Sequence, residues 1–136
     1  VQYLLDTNVI SEPLKANPNR GIMRHLERHQ TELAISSIVW HELLAGCYRL
    51  PHGRKRAAIE KFLNALALPI LPYDADAAKW HASERARLTS VGKTPPFIDG
   101  QIAAIAYTRD LVLVTLNSPD FALFDGLNLT DWQKKN

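Results

Sequence analysis

Cysteine is almost missing from this 136-residue chain: Cys47 stands alone. No intrachain disulfide can form, which fits a reducing cytosol. Set among Leu43, Leu44 and Ala45, Cys47 reads as a small buried hydrophobe. Long apolar runs are missing as well. None approaches the roughly 18 residues of a membrane span, and no signal peptide precedes the first strand pattern, so a cytoplasmic protein is expected. There is no glycine-rich phosphate loop and no serine-centred elbow. The histidines His25, His29, His41, His52 and His81 have no zinc-like spacing with cysteine. His25 and His29 lie four apart on one helix face and read as surface residues. Linkers, repeats and low-complexity segments are absent, which predicts one domain over 1–136.

Excess charge of one sign is scarce too. Lysine and arginine outnumber the acids by 16 to 14, a net charge of +2. That balance permits RNA binding without arguing for it. The cluster Arg49, His52, Arg54, Lys55, Arg56 and the tail Lys134, Lys135 read as solvated faces. Apolar residues make up 46% and charged residues 22%, ordinary for a soluble globular protein.

The elements alternate as in an α/β domain. Strands are expected at Tyr3–Asp6, Glu32–Ile35, Ile70–Tyr73 and Leu111–Thr115, with an edge strand at Leu127–Leu129. Helices are expected over 9–14, 19–29, from the Ser36/Ser37 cap through Glu42, over 54–67, 75–91, and from Asp99 to about Asp110. Within 75–91, Ala75, Ala78, Ala82 and Ala86 recur at helical spacing, a narrow face suited to close packing. Asp74 and Asp76 look like its cap region, and Trp40, Trp80 and Trp132 like packing residues. If the sheet is parallel, Asp6 and the segment Thr115–Asn117 open on the same edge, where α/β sheets bind ligands.

Three acids stand against apolar surroundings. Asp6 ends the first strand, Glu42 interrupts Ile38–Ala45, and Asp99 opens the small-residue helix Ile98–Ala106. Singly, each has a plain explanation: a helix N-cap for Asp6, a solvent-facing position for Glu42, a favourable dipole for Asp99. Together they suggest a cluster. Half-buried carboxylates that converge repel, and a hard divalent cation such as Mg²⁺ is the usual compensation, which suggests phosphate chemistry. Asp6 and Asp99 are the firmest metal candidates. Glu42 fits either a ligand or the acceptor of a water proton. Thr7, Ser37, Thr115 and Asn117 are candidates to orient waters or phosphate oxygens.

The motifs resemble those of the PIN-domain ribonucleases, and among them the VapC-type toxins of type II toxin–antitoxin modules. Leu4–Ser11 is similar to the first family motif, Ile35–Gly46 to the second, Pro96–Ala104 to the third, and Val114–Phe121 with Gly126, Leu127, Asp131 and Trp132 to the fourth. The resemblance implies a PIN-like three-layer α/β/α sandwich with a central, mainly parallel sheet. It implies Mg²⁺- or Mn²⁺-dependent endoribonuclease activity on structured RNA such as tRNA or rRNA, with Asp6, Glu42 and Asp99 as catalytic and metal residues. It also implies a homodimer and a cognate VapB-like antitoxin, whose helical segment covers the groove. The helices over 19–29 and 54–67 are candidates for that contact. Many family members carry a fourth acid where this chain has Asn117. Asp120, three residues on, is a weaker candidate for the role, and a turn cap is its plain reading. Two alternatives stay open: an RNA- or antitoxin-binding PIN domain with weak or no turnover, and a phosphotransferase using an aspartyl phosphate at Asp6.

Overall fold

The computed structural model describes residues 1–133; Lys134 and Lys135 lie outside the described residues. The order is β1 (Tyr3–Leu5), α1 (Thr7–Ile10), α2 (Arg20–Arg28), β2 (Leu33–Ser36), α3 (Ser37–Tyr48), α4 (Arg54–Ala65), β3 (Ile70–Leu71), α5 (Ala75–Ser90), α6 (Phe97–Thr108), β4 (Val112–Val114), α7 (Ser118–Phe121) and β5 (Leu129–Thr130). The five strands form one sheet in the order β3-β2-β1-β4-β5. Every pairing is parallel.

This order explains where a site can form. The chain steps outward from β1 to β2 to β3, then crosses back to place β4 on the other side of β1. Right-handed crossovers put helices from opposite steps on opposite faces. Between β1 and β4 the connections therefore diverge and leave a crevice beyond the strand ends. The register pairs Leu4 with Leu113 and Leu5 with Val114. The Asp6 N–H extends the ladder to the Val114 carbonyl at 2.9 Å.

The central strands read as continuous apolar runs because both faces are covered. Leu4, Leu5, Ala34, Leu113 and Val114 are fully buried, and a fully buried leucine contributes about 1.5–3 kcal/mol relative to an exposed one. In α6, five consecutive residues from Ile102 to Ala106 are buried, so this stretch of the helix is enclosed on all sides and needs small residues to pack closely. Caps fix the helix starts. Ser36 accepts from the Val39 N–H at 3.0 Å, Asn19 from Ile22 at 3.1 Å and Asp74 from Ala77 at 3.0 Å.

Several expectations need correction. The helix expected over 9–14 is two short pieces, α1 and a 3₁₀ turn at Glu12–Leu14; Pro13 lacks the N–H that would continue the ladder. The edge strand lies at Leu129–Thr130, two residues beyond its expected start. The alanine stripe of α5 faces outward: Ala75, Ala82 and Ala86 are exposed. The buried face is Ala77, His81, Glu84 and Leu88, because a leucine and an imidazole bury more surface than a row of methyl groups. His25 and His29 are half-buried. Both rings stack on Trp132, at 5.0 and 5.4 Å between centroids, so the C-terminal segment covers the face that looked open.

Cys47 is buried. In the basic cluster, Arg49, His52, Arg54 and Lys55 are exposed. Among the described residues no helix is long and apolar enough to cross a membrane.

Candidate active site

Asp6 follows β1 and caps α1. It is 7% exposed, and both carboxylate oxygens have donors. Oδ1 accepts the Thr7 N–H at 2.9 Å, and Oδ2 accepts the Thr115 hydroxyl at 2.8 Å. Thr115 is fully buried at the end of β4, and its Oγ1 in turn accepts the Asn117 N–H at 3.0 Å. The plain reading of Asp6 as a cap therefore holds, and the same carboxylate is tied to the end of β4. Each oxygen retains a second lone pair.

Glu42 sits in the second turn of α3. Its Oε1 accepts the Thr7 hydroxyl at 3.2 Å. Thr7 thus joins the first two acids, its N–H on one and its Oγ1 on the other. Ser36 rather than Ser37 caps α3, and Ser37 makes no hydrogen bond to these acids.

Asp99 lies in the first turn of α6, where the helix dipole favours a carboxylate. Its pKa nevertheless rises from 3.8 to about 6. Burial is the largest cause, followed by the charges of Asp6, Asp120 and Glu42. Desolvation and like charge outweigh the dipole. The neighbouring charges that raise it most are all acidic. Four acids from four separate segments therefore share one electrostatic neighbourhood. Asp120 belongs to it through its charge, whereas Asn117, exposed at the start of α7, contributes its backbone N–H to Thr115.

The cluster is open. Among the described residues no three His, Cys, Asp or Glu side chains are already gathered into a metal-binding geometry. An open set of oxygen donors suits a cation that keeps part of its water shell, as Mg²⁺ does. Burial and the three neighbouring acids raise the proton affinity of Asp99, and a bound cation would relieve the second of these causes. Beside Asp120 a cleft of about 360 Å³ continues past Pro119, Leu123 and the 93–96 loop, with Lys93 on its rim.

Two features of this region escaped the sequence reading. Glu84 is buried and takes Arg87 in a two-pronged pair at 2.9 and 3.0 Å; with the Asp125 N–H at 2.8 Å it fixes the turn after α7. His81 is buried directly behind the Asp99 turn, against Gly100. The available signal was Gly100 itself, since glycine inside a helix often marks a close approach.

The PIN-domain family model matches residues 3–127. The chain belongs to the PIN-domain family. Its relatives place it among the VapC-type members. It is 34% identical to Toxin FitB of Neisseria gonorrhoeae, over 95% of this chain and 97% of that protein. It is 32% identical to the tRNA(fMet)-specific endonuclease VapC of Shigella flexneri, over 97% of this chain and 98% of that one. A chain in the structure of FitAB bound to an IR36 DNA fragment superposes with a TM-score of 0.88 at 29% identity, covering 99% of both chains. The PIN-like α/β sandwich expected from the four motifs is the observed fold.

Proposed function

We propose that this PIN domain is a Mg²⁺- or Mn²⁺-dependent endoribonuclease, the toxin of a VapBC-type module, acting in the cytoplasm on structured RNA such as tRNA or rRNA. The observation that carries the reading is the convergence of Asp6, Glu42, Asp99 and Asp120 from four segments, where burial and their mutual repulsion raise the pKa of Asp99. The relatives support the activity: one is named a toxin and another a tRNA-specific endonuclease.

Asp6 and Asp99 would hold the cation, with Glu42 as a third ligand or as the acceptor of the attacking water's proton. When bound, the ion supplies a water of lowered pKa and offsets charge on the phosphoryl oxygens. Thr115 holds Asp6 in one rotamer by occupying Oδ2. Thr7 fixes Glu42 relative to Asp6, and Asp120 adds negative charge at the cleft side. Lys93 offers a cation to a phosphate of the RNA strand lying in that cleft.

The partner would be a VapB-like antitoxin, in keeping with the FitAB assembly of the structural relative. A hollow of about 300 Å³ lined by Ile10, Pro13, Leu26, Leu33, Phe62 and Leu66 lies between the α2 and α4 sides of the molecule. It suits the apolar stripe of an antitoxin helix. The functional unit would be a homodimer of the toxin.

The deciding experiment compares Asp6→Asn and Asp99→Asn with the wild type. Both should lose RNA cleavage by at least about 100-fold and cease to arrest growth, with unchanged circular dichroism. Full toxicity in both variants would sink the nuclease assignment.

A further inference from the structure

Gly100 follows Asp99 within the first turn of α6. Glycine in a helix costs roughly 1 kcal/mol relative to alanine, so its presence needs a reason. The reason is His81. A Cβ at position 100 would overlap the imidazole, with Nε2 nearest, then Cδ2 at 2.6 Å and Cε1 at 3.0 Å.

His81 is 1% exposed. Its Nδ1 pairs with the Tyr73 hydroxyl at 2.9 Å, so one edge of the ring is held from the β3–α5 connection. Its ring centre lies 4.9 Å from that of Phe97. The imidazole therefore touches α6 two residues before Asp99 and one residue after it. A polar ring is costly to bury unless it has a partner, and Tyr73 supplies one. The ring makes no hydrogen bond to any of the four acids, so the cluster chemistry does not account for it.

We propose that His81, held by Tyr73 and seated on Gly100, is a positioning residue that sets how far the Asp99 turn of α6 enters the acid cluster. This rests on the metal-dependent reading of that cluster. Magnesium demands near-ideal oxygen geometry at about 2.0–2.1 Å. Moving one carboxylate by a fraction of an ångström is enough to weaken it. The side chain of residue 81 and the missing side chain of residue 100 together fix that distance, and neither touches the substrate.

The test uses the full chain, Mn²⁺ alone as probe, and three readouts: Mn²⁺ affinity by paramagnetic resonance, kcat and KM on RNA, and the melting temperature. Gly100→Ala should weaken Mn²⁺ by about 10–100-fold, as losses of supporting contacts do. It should lower kcat with KM for RNA within about twofold. The double variant His81→Ala/Gly100→Ala should regain most of the Mn²⁺ affinity while still melting below the wild type. A restored site in a protein less stable than wild type is a result that a purely structural role for His81 would not give. If Gly100→Ala does not fold, Tyr73→Phe carries the same test, with Mn²⁺ weakened several-fold and KM unchanged. Wild-type Mn²⁺ affinity in Gly100→Ala, a double variant no better than Gly100→Ala, or unchanged affinity in Tyr73→Phe as the fallback overturns the proposal. A wild type that neither binds Mn²⁺ nor cuts RNA overturns the functional reading and this proposal with it, and is told apart because the failure precedes any substitution.

Discussion

Asp99 is where the chemistry of single residues is most exposed to measurement. With its pKa raised from 3.8 to about 6, the folded chain holds this proton more tightly than the unfolded chain does. The associated stability is complete below about pH 4 and is lost as the pH rises through about 6. In metal-free protein, Asp99→Asn should therefore raise the melting temperature by a few degrees at pH 7.5 and leave it nearly unchanged at pH 4. Mn²⁺ affinity of the wild type should fall as the pH drops through about 6, because proton and metal compete for the same oxygens; calorimetric titration at pH 5, 6 and 7.5 checks this. Thr115 provides a second residue-scale test. Thr115→Val keeps the shape but strands Asp6 Oδ2 and the Asn117 N–H, both now paired. A loss of about 1–3 kcal/mol in urea unfolding is expected, together with about tenfold weaker Mn²⁺.

The elements show what a sequence reveals and what it conceals. Caps and strand ends were readable because they depend on neighbours in the chain: Ser36, Asp74 and Asp6 stand where side-chain acceptors must stand. The rotation of α5 was not readable. Its alanines recur at helical spacing, yet the face that turns inward carries His81 and Glu84, whose burial depends on Tyr73, Arg87 and the Asp125 N–H elsewhere in the molecule. The end of α5 was only half-visible. Gly92, at φ 76°, closes it with Gly92 N–H on Thr89 and Lys93 N–H on Leu88, the paired bonds of a glycine C-cap. Gly92→Ala should cost about 1–2 kcal/mol. That cap also sets where Lys93 stands on the cleft rim. Lys93→Ala should raise KM for RNA several-fold with kcat intact, and reduce the salt slope of binding by about one phosphate contact.

At the scale of the molecule, the site was legible as a set of acids in apolar surroundings but not as a geometry. The shared edge of Asp6 and Thr115–Asn117 was legible given a parallel sheet, but their direct hydrogen bond was not. Their meeting follows from the parallel pairing of β1 with β4, which is a property of the whole sheet. Asp120 shows the same limit: three residues past Asn117 in the chain, it acts on Asp99 in space. The core that enforces these meetings is centred on β1 and β4. Leu113→Ala, at a fully buried position opposite Leu4, should cost about 2–5 kcal/mol and loosen Asp6 against Thr115 at a distance. Chemical denaturation and Mn²⁺ titration on the same sample would show both effects.

The hydrogen bond between Asp6 and Thr115 spans 109 residues of sequence. A chain still emerging from the ribosome holds Asp6 long before β4, and has nothing to close it against until β4 is released. Pairing over so long a loop is late and slow. A nascent copy without β4 therefore lacks the Asp6–Thr115 contact. The topology itself delays the assembly of the acid cluster until β4 has been made.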